Sequence, residues 1–403
     1  MFFTLDVQQA RKGDCLILHY GSRNDPGLIV IDGGASGVYK SHLKPRLEEI
    51  RKVRGLAADA ALPVDLLIVS HIDDDHIRGL LELTKELLDA RVAQQPLPFR
   101  IKGLWHNTFD DIIGNSSKEL TAAVAIQFGT ASLSGEVDVD GLDPGVAKVL
   151  ASVGQGFRLR DDAKGLNLSV NAGFASKLIL ANKKGKKVDV GRGLKFTVIG
   201  PMKDEVLALQ EAHDDFLQKQ QEKAEASLAA FADKSIPNLS SLVILAEAGK
   251  KRILFTGDAR GDKILQGLEL VGLLKDDGKS KIHVDVLKGP HHGSVRNVAP
   301  IFFERLTADH YVFSGNGEHG NPERETLQML ADVRGDEGYT VHLTYPIDKI
   351  DAERKDDCKK KGNPWSPKKQ SLAAFLDANK NFAKKIKIVD ERKPHLINLL
   401  DEM

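Results

Sequence analysis

The sequence predicts an α/β protein, because short apolar runs typical of buried strands alternate with segments of helical periodicity. Leu28–Ile31 and Asp65–Ser70 are two such runs, and Ser41–Arg54 between them repeats its apolar residues at helical spacing. A second helical segment, Ile77–Ala90, follows directly. Strand, helix and strand in this order indicate parallel strands joined by a crossover helix.

Composition limits the number of domains and the kinds of protein that this chain can be. The 403 residues allow one large α/β domain or two average ones. Lys and Arg number 57, as do Asp and Glu, so the chain has no net field that would gather nucleic acid. Two cysteines, far apart in sequence, exclude a disulfide framework. The start lacks the pattern of a signal peptide and no apolar run could span a bilayer, so we expect a soluble, cytoplasmic protein without membrane partners.

Five metal-competent side chains fill six positions directly after the strand that ends at Ser70: His71, Asp73, Asp74, Asp75 and His76. Crowded carboxylates repel one another or lose hydration unless a cation neutralises them. The turn after a strand is the usual place for a ligand site in an α/β protein. We therefore expect one or two divalent metals here; the alternative is an acidic solvated loop.

Three further motifs, one before and two after the His71 segment in sequence, also follow predicted strands. Asp32-Gly33-Gly34 ends the run from Leu28, and two glycines would let the backbone pass close to a neighbour with positive φ. Thr256-Gly257-Asp258 closes a predicted hairpin, and Pro290-His291-His292-Gly293-Ser294 follows another strand.

Together these motifs resemble those of metallo-β-lactamase-fold hydrolases, which carry His-x-His-x-Asp-His after a strand. Asp73 stands here in place of the second His, a variant similar to the competence-type subgroup of DNA-uptake proteins. The resemblance implies a metallo-β-lactamase-like αββα sandwich over residues 1–345 with helical insertions at about 110–193 and 203–236. Residues 346–403 would then be a C-terminal extension packed on the domain.

The resemblance also implies a dinuclear ligand set. His71 and Asp73 would serve the first metal, Asp75 and His76 the second, and Asp258 both; His292 or His291 would also serve the second, with His292 favoured. Asp32 would support a ligand His. Many relatives supply a third His to the first metal near Gly200-Pro201, where no side chain here can bind. Water or a residue from elsewhere, His106 included, would have to complete that position.

The chemistry expected is hydrolysis by a metal-bound hydroxide held between two divalent ions, zinc or manganese. Asp75, His292 and His319 are the candidate catalytic residues. His319 lies two residues before Asn321, which occupies the place of a substrate-facing His in relatives.

The competence-type variant points to a phosphodiesterase or nuclease acting on nucleic acid or a smaller phosphodiester. A lactone or ester hydrolase of the same fold is one alternative, and a non-catalytic binding protein that retains the fold is another. The basic run Lys355–Lys369, which contains Trp365, could bind a nucleic-acid backbone or form a solvated surface loop. Oligomeric state is left open.

Helices are predicted within both insertions. Asp204–Ala232 is predicted to be a long helix, because it is rich in strong helix formers and lacks Gly and Pro. Helices are also expected at 116–128 and 145–152, followed by a loop-rich segment from Gly154 to Phe174.

Overall fold

The computed structural model describes residues 1–57, 59–107, 144–174, 178–207, 241–390 and 392–401, with positions 144–153 described as helix backbone only. The predicted helix at 116–128 lies outside these residues. So does most of the predicted helix Asp204–Ala232, of which residues 204–207 are described and helical.

The strands are, in chain order, β1 (Phe2–Val7), β2 (Leu16–Gly21), β3 (Pro26–Ile31), β4 (Leu62–Val64), β5 (Leu66–Ile68), β6 (Phe99–Ile101), β7 (Gly103–Trp105), β8 (Ser169–Val170), β9 (Lys187–Gly191), β10 (Leu194–Gly200), β11 (Val243–Ala248), β12 (Lys251–Phe255), β13 (Ile282–Lys288), β14 (Leu306–Phe313), β15 (Thr340–Leu343), β16 (Ile386–Ile388) and β17 (Leu396–Asn398).

The helices are α1 (Lys44–Val53), α2 (Asp74–Val92), α3 (Pro144–Gly165), α4 (Gly261–Leu270), α5 (Pro300–Arg305), α6 (Arg324–Arg334), α7 (Ile347–Lys360), α8 (Pro367–Gln370), α9 (Leu372–Ala378) and α10 (Lys380–Ala383). A π-helical turn, Tyr39–Leu43, leads into α1. None of the helices among the described residues is both long enough and apolar enough to cross a bilayer.

Among the described residues, two mixed sheets form the centre of the molecule. One has the order β17-β1-β2-β3-β5-β7-β8 and the other β16-β15-β14-β13-β12-β11-β10-β9. Strands β3 and β5 are parallel, as are β12, β13 and β14. The mixed α/β class predicted from the sequence is therefore confirmed.

Alternate residues of single strands belong to different apolar cores, which shows that both faces of each sheet are covered. Val30 of β3 packs in one core with Leu80 of α2, whereas its neighbour Ile29 packs in a second core with Ile253 of β12. Leu254 of β12 packs in a third core with α4, α5 and α6. The layers thus run helix, sheet, sheet, helix, and fully covered strands explain the unbroken apolar runs in the sequence.

The sequence predicts one strand from Phe99 to Trp105 and a loop-rich segment from Gly154 to Phe174, and both expectations were wrong. The run from Phe99 to Trp105 forms two strands, because β6 pairs with β4 whereas β7 pairs with β5. The segment after Gly154 is not loop-rich, since α3 continues to Gly165. Packing overrides the low helix propensity there: Leu159 is buried in the core that contains α2, and Asp162 accepts a hydrogen bond of 2.5 Å from Thr84.

The C-terminal residues contribute to both sheets. Strand β16 pairs with β15 at one edge, and β17 pairs with β1 at the edge of the other sheet. The basic run begins inside α7 rather than in a loop, and two of its lysines, Lys360 and Lys361, pair with Asp356 and Asp357 at 2.7 Å. Its positive charge is accordingly partly neutralised.

Three imidazoles form a hydrogen-bonded chain between β14, β15 and the segment before β17. His342 Nε2 lies 3.0 Å from His310 Nδ1, and His342 Nδ1 lies 2.7 Å from His395 Nε2. Burial, together with the two neighbouring imidazoles, lowers the pKa of His342 to about 2. Burial lowers the pKa of His310 and of His395 as well.

The three hydrogen-bonded histidines make the free energy of unfolding depend on pH. A histidine whose folded pKa is depressed takes up a proton on unfolding, so its contribution is present above pH 6.5 and is lost as the pH falls towards the folded pKa. The substitution His342→Gln removes that titration. We expect the free energy of unfolding to fall by about 2 kcal/mol less in this variant than in the wild type between pH 7 and pH 5. Urea denaturation at both pH values measures the difference.

His283→Gln is the matched control, because the His283 side chain is half exposed on β13. It should keep the wild-type pH dependence. Equal losses of stability in the wild type and His342→Gln would contradict the assignment.

Candidate metal centre

The candidate site lies where strands of the two sheets end side by side. Asp32 follows β3, the His71 motif follows β5, Asp258 follows β12 and the His291-His292 pair follows β13. Since β3 is parallel to β5 and β12 to β13, the two loops of each sheet start at the carboxyl ends of neighbouring strands. A hydrogen bond of 2.7 Å from Leu242 N to Ser70 O joins the two sheets in this region.

The Asp32-Gly33-Gly34 turn packs directly on the first turns of α2. A Cβ at Gly33 or Gly79 would overlap the backbone of the other segment, and Gly33 N donates to His76 O at 2.7 Å. Asp32 and Gly34 both have positive φ, 57° and 72°. The close approach predicted from the two glycines is confirmed, and it brings Asp32 within 2.9 Å of His76 Nδ1.

Asp258 is the centre of the cluster, because four imidazoles direct Nε2 towards its carboxylate. Oδ1 lies 3.3 Å from Nε2 of both His76 and His292. Oδ2 lies 3.6 Å from His71 Nε2 and 3.4 Å from His291 Nε2. The four rings therefore divide into two pairs, one for each oxygen of a single buried carboxylate.

Each ring nitrogen on the far side, Nδ1, faces an oxygen acceptor. For His76 this is the Asp32 carboxylate. For His71 it is Ser70 Oγ at 3.1 Å, and that hydroxyl donates its own proton to Asp32 Oδ2 at 2.7 Å. Ser70 Oγ can thus only accept from His71.

The other two imidazoles follow the same rule. His291 Nδ1 lies 3.0 Å from Asn297 Oδ1, and the amide orientation is fixed because Asn297 Nδ2 donates to Asp258 O at 3.1 Å. His292 Nδ1 lies 3.3 Å from Asp14 Oδ1. The other oxygen of Asp14 pairs with the buried Lys288 Nζ at 2.5 Å.

Hydrogen bonds place the proton of neutral His71, His76 and His291 on Nδ1, and the Asp14 carboxylate 3.3 Å from His292 Nδ1 favours the same tautomer there. Four Nε2 lone pairs then point inward. Two of them, on His76 and His292, are only 3.2 Å apart. His71 Nε2 and Asp258 Oδ1 are buried and have no hydrogen-bond partner among the described residues. Lone pairs and a carboxylate facing one another in this way fit a cation between them.

The pKa shifts of the clustered groups also indicate a site for a cation. Burial alone would raise the pKa of Asp258, but the surrounding imidazoles of His291, His292, His76 and His71 hold it well below its usual range. Burial would lower the pKa of His76, yet Asp258 and Asp32 raise it well above its usual range. The cluster therefore favours positive charge at its centre.

The remaining acidic residues of the His71 motif divide between the two pairs of rings. Asp73 Oδ2 lies 3.8 Å from His71 Nε2, on the Asp258 Oδ2 side. Asp75 Oδ2 lies 3.8 Å from His292 Nε2, on the Oδ1 side. Asp74 is in the first turn of α2 and faces away, towards Arg78 at 3.5 Å and Gln155 at 3.1 Å.

A histidine in an unexpected place completes the Oδ2 side. The sequence offered no third His near Gly200-Pro201, and His106 was one alternative. His291 lies on that side instead, so the two adjacent histidines serve opposite oxygens of Asp258. His106 is buried at the end of β7, where its backbone N–H and C=O both pair with the Asn171 side chain.

His319 lies at the rim rather than among the converging nitrogens. It is exposed on the turn Glu318–Gly320, with its Nε2 3.4 Å from Lys12 Nζ. Its predicted catalytic role stays a prediction.

Sequence reasoning did not identify Asp14, Lys288 and Asn297. Asp14 belongs with His76, Asp258 and His292 to a buried group whose ligand atoms all lie within 4.8 Å of one another. A Gly-Asp pair just before a buried strand was the available signal for Asp14. Lys288 is the last residue of β13 and is 1% exposed, which the sequence does not reveal.

Comparisons with known proteins add little. A scan of protein-family models and a search of curated proteins both gave no match. Two solved structures show a distant likeness. The diiron β-hydroxylase CmlA from Streptomyces venezuelae has 12% identity and a TM-score of 0.35, with 99% of this chain and 54% of that chain covered. A protein of unknown function from Enterococcus faecalis V583 has 11% identity and a TM-score of 0.29, covering 96% and 87%. The chain spans about half the length of the hydroxylase, and neither score supports an argument about function.

The buried Asp14–Lys288 pair can be tested through stability. Lys288→Met leaves the Asp14 carboxylate buried without its partner, which should cost about 3–5 kcal/mol in the free energy of unfolding. The double substitution Asp14→Asn with Lys288→Met should cost less than Lys288→Met alone. Chemical denaturation of the wild type and these two variants measures the values.

Lys251→Met is the matched control, because the Lys251–Asp285 pair has the same 2.5 Å separation but a Lys side chain that is 37% exposed. It should cost less than about 1 kcal/mol. Similar costs for the two single substitutions would contradict a buried role for Lys288.

Proposed function

We propose that this chain is a metal-dependent hydrolase of the metallo-β-lactamase fold that cleaves phosphodiester bonds with two divalent ions, zinc or manganese. The observation that carries the proposal is the division of four inward-pointing Nε2 atoms between the two oxygens of Asp258. A bridging carboxylate needs its two oxygens to face different cations, and each oxygen here has its own pair of imidazoles.

The ligand sets follow from this division. His71, His291 and Asp73 would hold the ion on the Oδ2 side, and His76, His292 and Asp75 the ion on the Oδ1 side. Two imidazoles and two carboxylates for each ion form a mixed N/O set, which suits zinc or manganese better than calcium or magnesium. Bound there, the two ions would lower the pKa of a water molecule and neutralise charge on a phosphoryl oxygen.

The chain's own residues keep the ligands oriented. Asp32, Ser70, Asn297 and Asp14 each hold the Nδ1 side of one imidazole, which fixes the tautomer that leaves Nε2 free to bind. Such outer partners typically change metal affinity by about 10–100-fold when they are removed. Lys288 in turn keeps Asp14 ionised, since its ammonium and the His292 ring hold the pKa of Asp14 below its usual value against the effect of burial.

Phosphodiester cleavage is favoured over the lactone and ester alternative by the motif variant and by charge. The Asp73 substitution resembles the competence-type subgroup, whose substrates are phosphodiesters. Two divalent ions facing the substrate would attract the negative charge of a phosphodiester, which a lactone or neutral ester lacks. A non-catalytic binding protein would not need an inward-facing set of nitrogens supported by four outer acceptors.

The site can be tested by counting metals in variants. The wild type should bind two equivalents of zinc or manganese per chain, whereas His291→Ala and His292→Ala should each retain one. Elemental analysis after dialysis measures the stoichiometry, with His283→Ala, which alters an exposed His on β13, as the control that keeps two. One equivalent in the wild type, or none, would contradict the dinuclear assignment.

The reaction can be tested on model substrates. Bis(p-nitrophenyl) phosphate should be hydrolysed with added manganese or zinc, and Asp258→Asn should lower the rate at least about 100-fold, because the shared ligand is weakened. Asp262→Asn changes an exposed residue of α4 and should keep the wild-type rate. Turnover of a lactone panel without phosphodiester turnover would assign the alternative reaction.

A further inference from the structure

Among the described residues, Lys12 at the rim of the cluster has no carboxylate partner. Lys12 is half-buried, and within the described parts of the chain no carboxylate lies within ion-pair distance of its Nζ. Two neighbouring cations are paired: Arg11 lies 3.6 Å from Glu318, and Lys361 lies 2.7 Å from Asp357. Lys12 is therefore a rim charge available to an anion from solution.

Lys12 lies beside one side of the predicted centre. A Cβ on the next residue, Gly13, would overlap the backbone of Asp75, and Asp14 N donates to Asp75 O at 3.3 Å. The loop that bears Lys12 is thus packed on the segment that provides Asp75. An added side chain at Gly13 would displace this loop.

His319 approaches the same place from the other side. Its loop is tied to the His291 backbone, since Asn321 Nδ2 donates to His291 O at 3.3 Å. The contact of 3.4 Å between Lys12 Nζ and His319 Nε2 therefore spans the rim between the Asp75 side and the His291 side.

The contact between Lys12 and His319 leaves N–H donors of the Lys12 ammonium available. Partial desolvation of the ring by its loop and the charge of Lys12 lower the pKa of His319, so its neutral ring accepts one N–H of the ammonium. An ammonium has three donors and no acceptor, which leaves two for a ligand. A phosphate oxygen is a suitable acceptor for such charge-assisted hydrogen bonds.

We propose that Lys12, positioned by His319, binds a second phosphate of the substrate, next to the phosphodiester that is cleaved. This inference rests on the proposed function and narrows its substrate class to nucleotides or oligonucleotides with at least two phosphates. A diester with a single phosphate would use the metal centre alone and would gain nothing from Lys12.

The test compares two chromogenic substrates that differ in one phosphate: the p-nitrophenyl ester of thymidine 5′-phosphate with and without a 3′-phosphate. For the wild type, KM should be about tenfold lower for the ester with two phosphates, as expected for one charge-assisted contact. Lys12→Gln should bring the ratio of the two KM values close to one, and Lys12→Arg should restore part of the preference. Lys85→Gln, which alters an exposed lysine of α2, should keep the wild-type ratio.

The two proposals can fail separately. Hydrolysis of both esters with no KM preference in the wild type, or with the same preference in Lys12→Gln, would overturn the role of Lys12 and leave the proposed hydrolysis standing. If neither ester is hydrolysed, calorimetry of thymidine 3′,5′-bisphosphate and thymidine 5′-monophosphate decides. A Lys12-dependent affinity difference of about tenfold supports the phosphate subsite, and equal affinities overturn it.

Discussion

The organisation of this protein depends on one electrostatic constraint: a buried carboxylate, Asp258, is surrounded by four imidazole nitrogens whose lone pairs point at it and at one another. Such an arrangement is unfavourable unless positive charge lies between the groups. The raised pKa of His76 and the lowered pKa of Asp258 are two consequences of the same constraint. The oxygen acceptors that face Nδ1 of each ring maintain this arrangement, because they prevent the rings from turning their N–H groups inward.

The fold supplies the rigidity that this constraint requires. Both sheets are covered on both faces, so the strand ends that carry the cluster cannot shift without disturbing two apolar cores. Glycines shape the approach of the loops: Gly33 meets Gly79, and Gly13 meets Asp75, at distances that no side chain would allow. The ion pair of Asp14 with Lys288 joins the first loop of one sheet to the last residue of β13 in the other.

Much of this could be predicted from the sequence. Apolar run length placed β3 and β5 within two residues of their observed bounds, and motif positions after strands indicated that His76 and Asp258 would meet. The position of His291 could not be predicted, because adjacent residues of a regular strand or helix would not be expected to lie beside opposite oxygens of one carboxylate. Positive φ values of 46° at His291 and 53° at His292 make the backbone turn so sharply that they do. Asp14 and Lys288 were missed because an ion pair between distant segments leaves no periodic signal.

Crystals grown with zinc or manganese, with anomalous scattering recorded at the metal edge, test the central claim most directly. The account predicts two anomalous peaks, one on each side of Asp258, with His76 and His292 binding one ion and His71 and His291 the other. A single peak, or two peaks that share neither oxygen of Asp258, would contradict it.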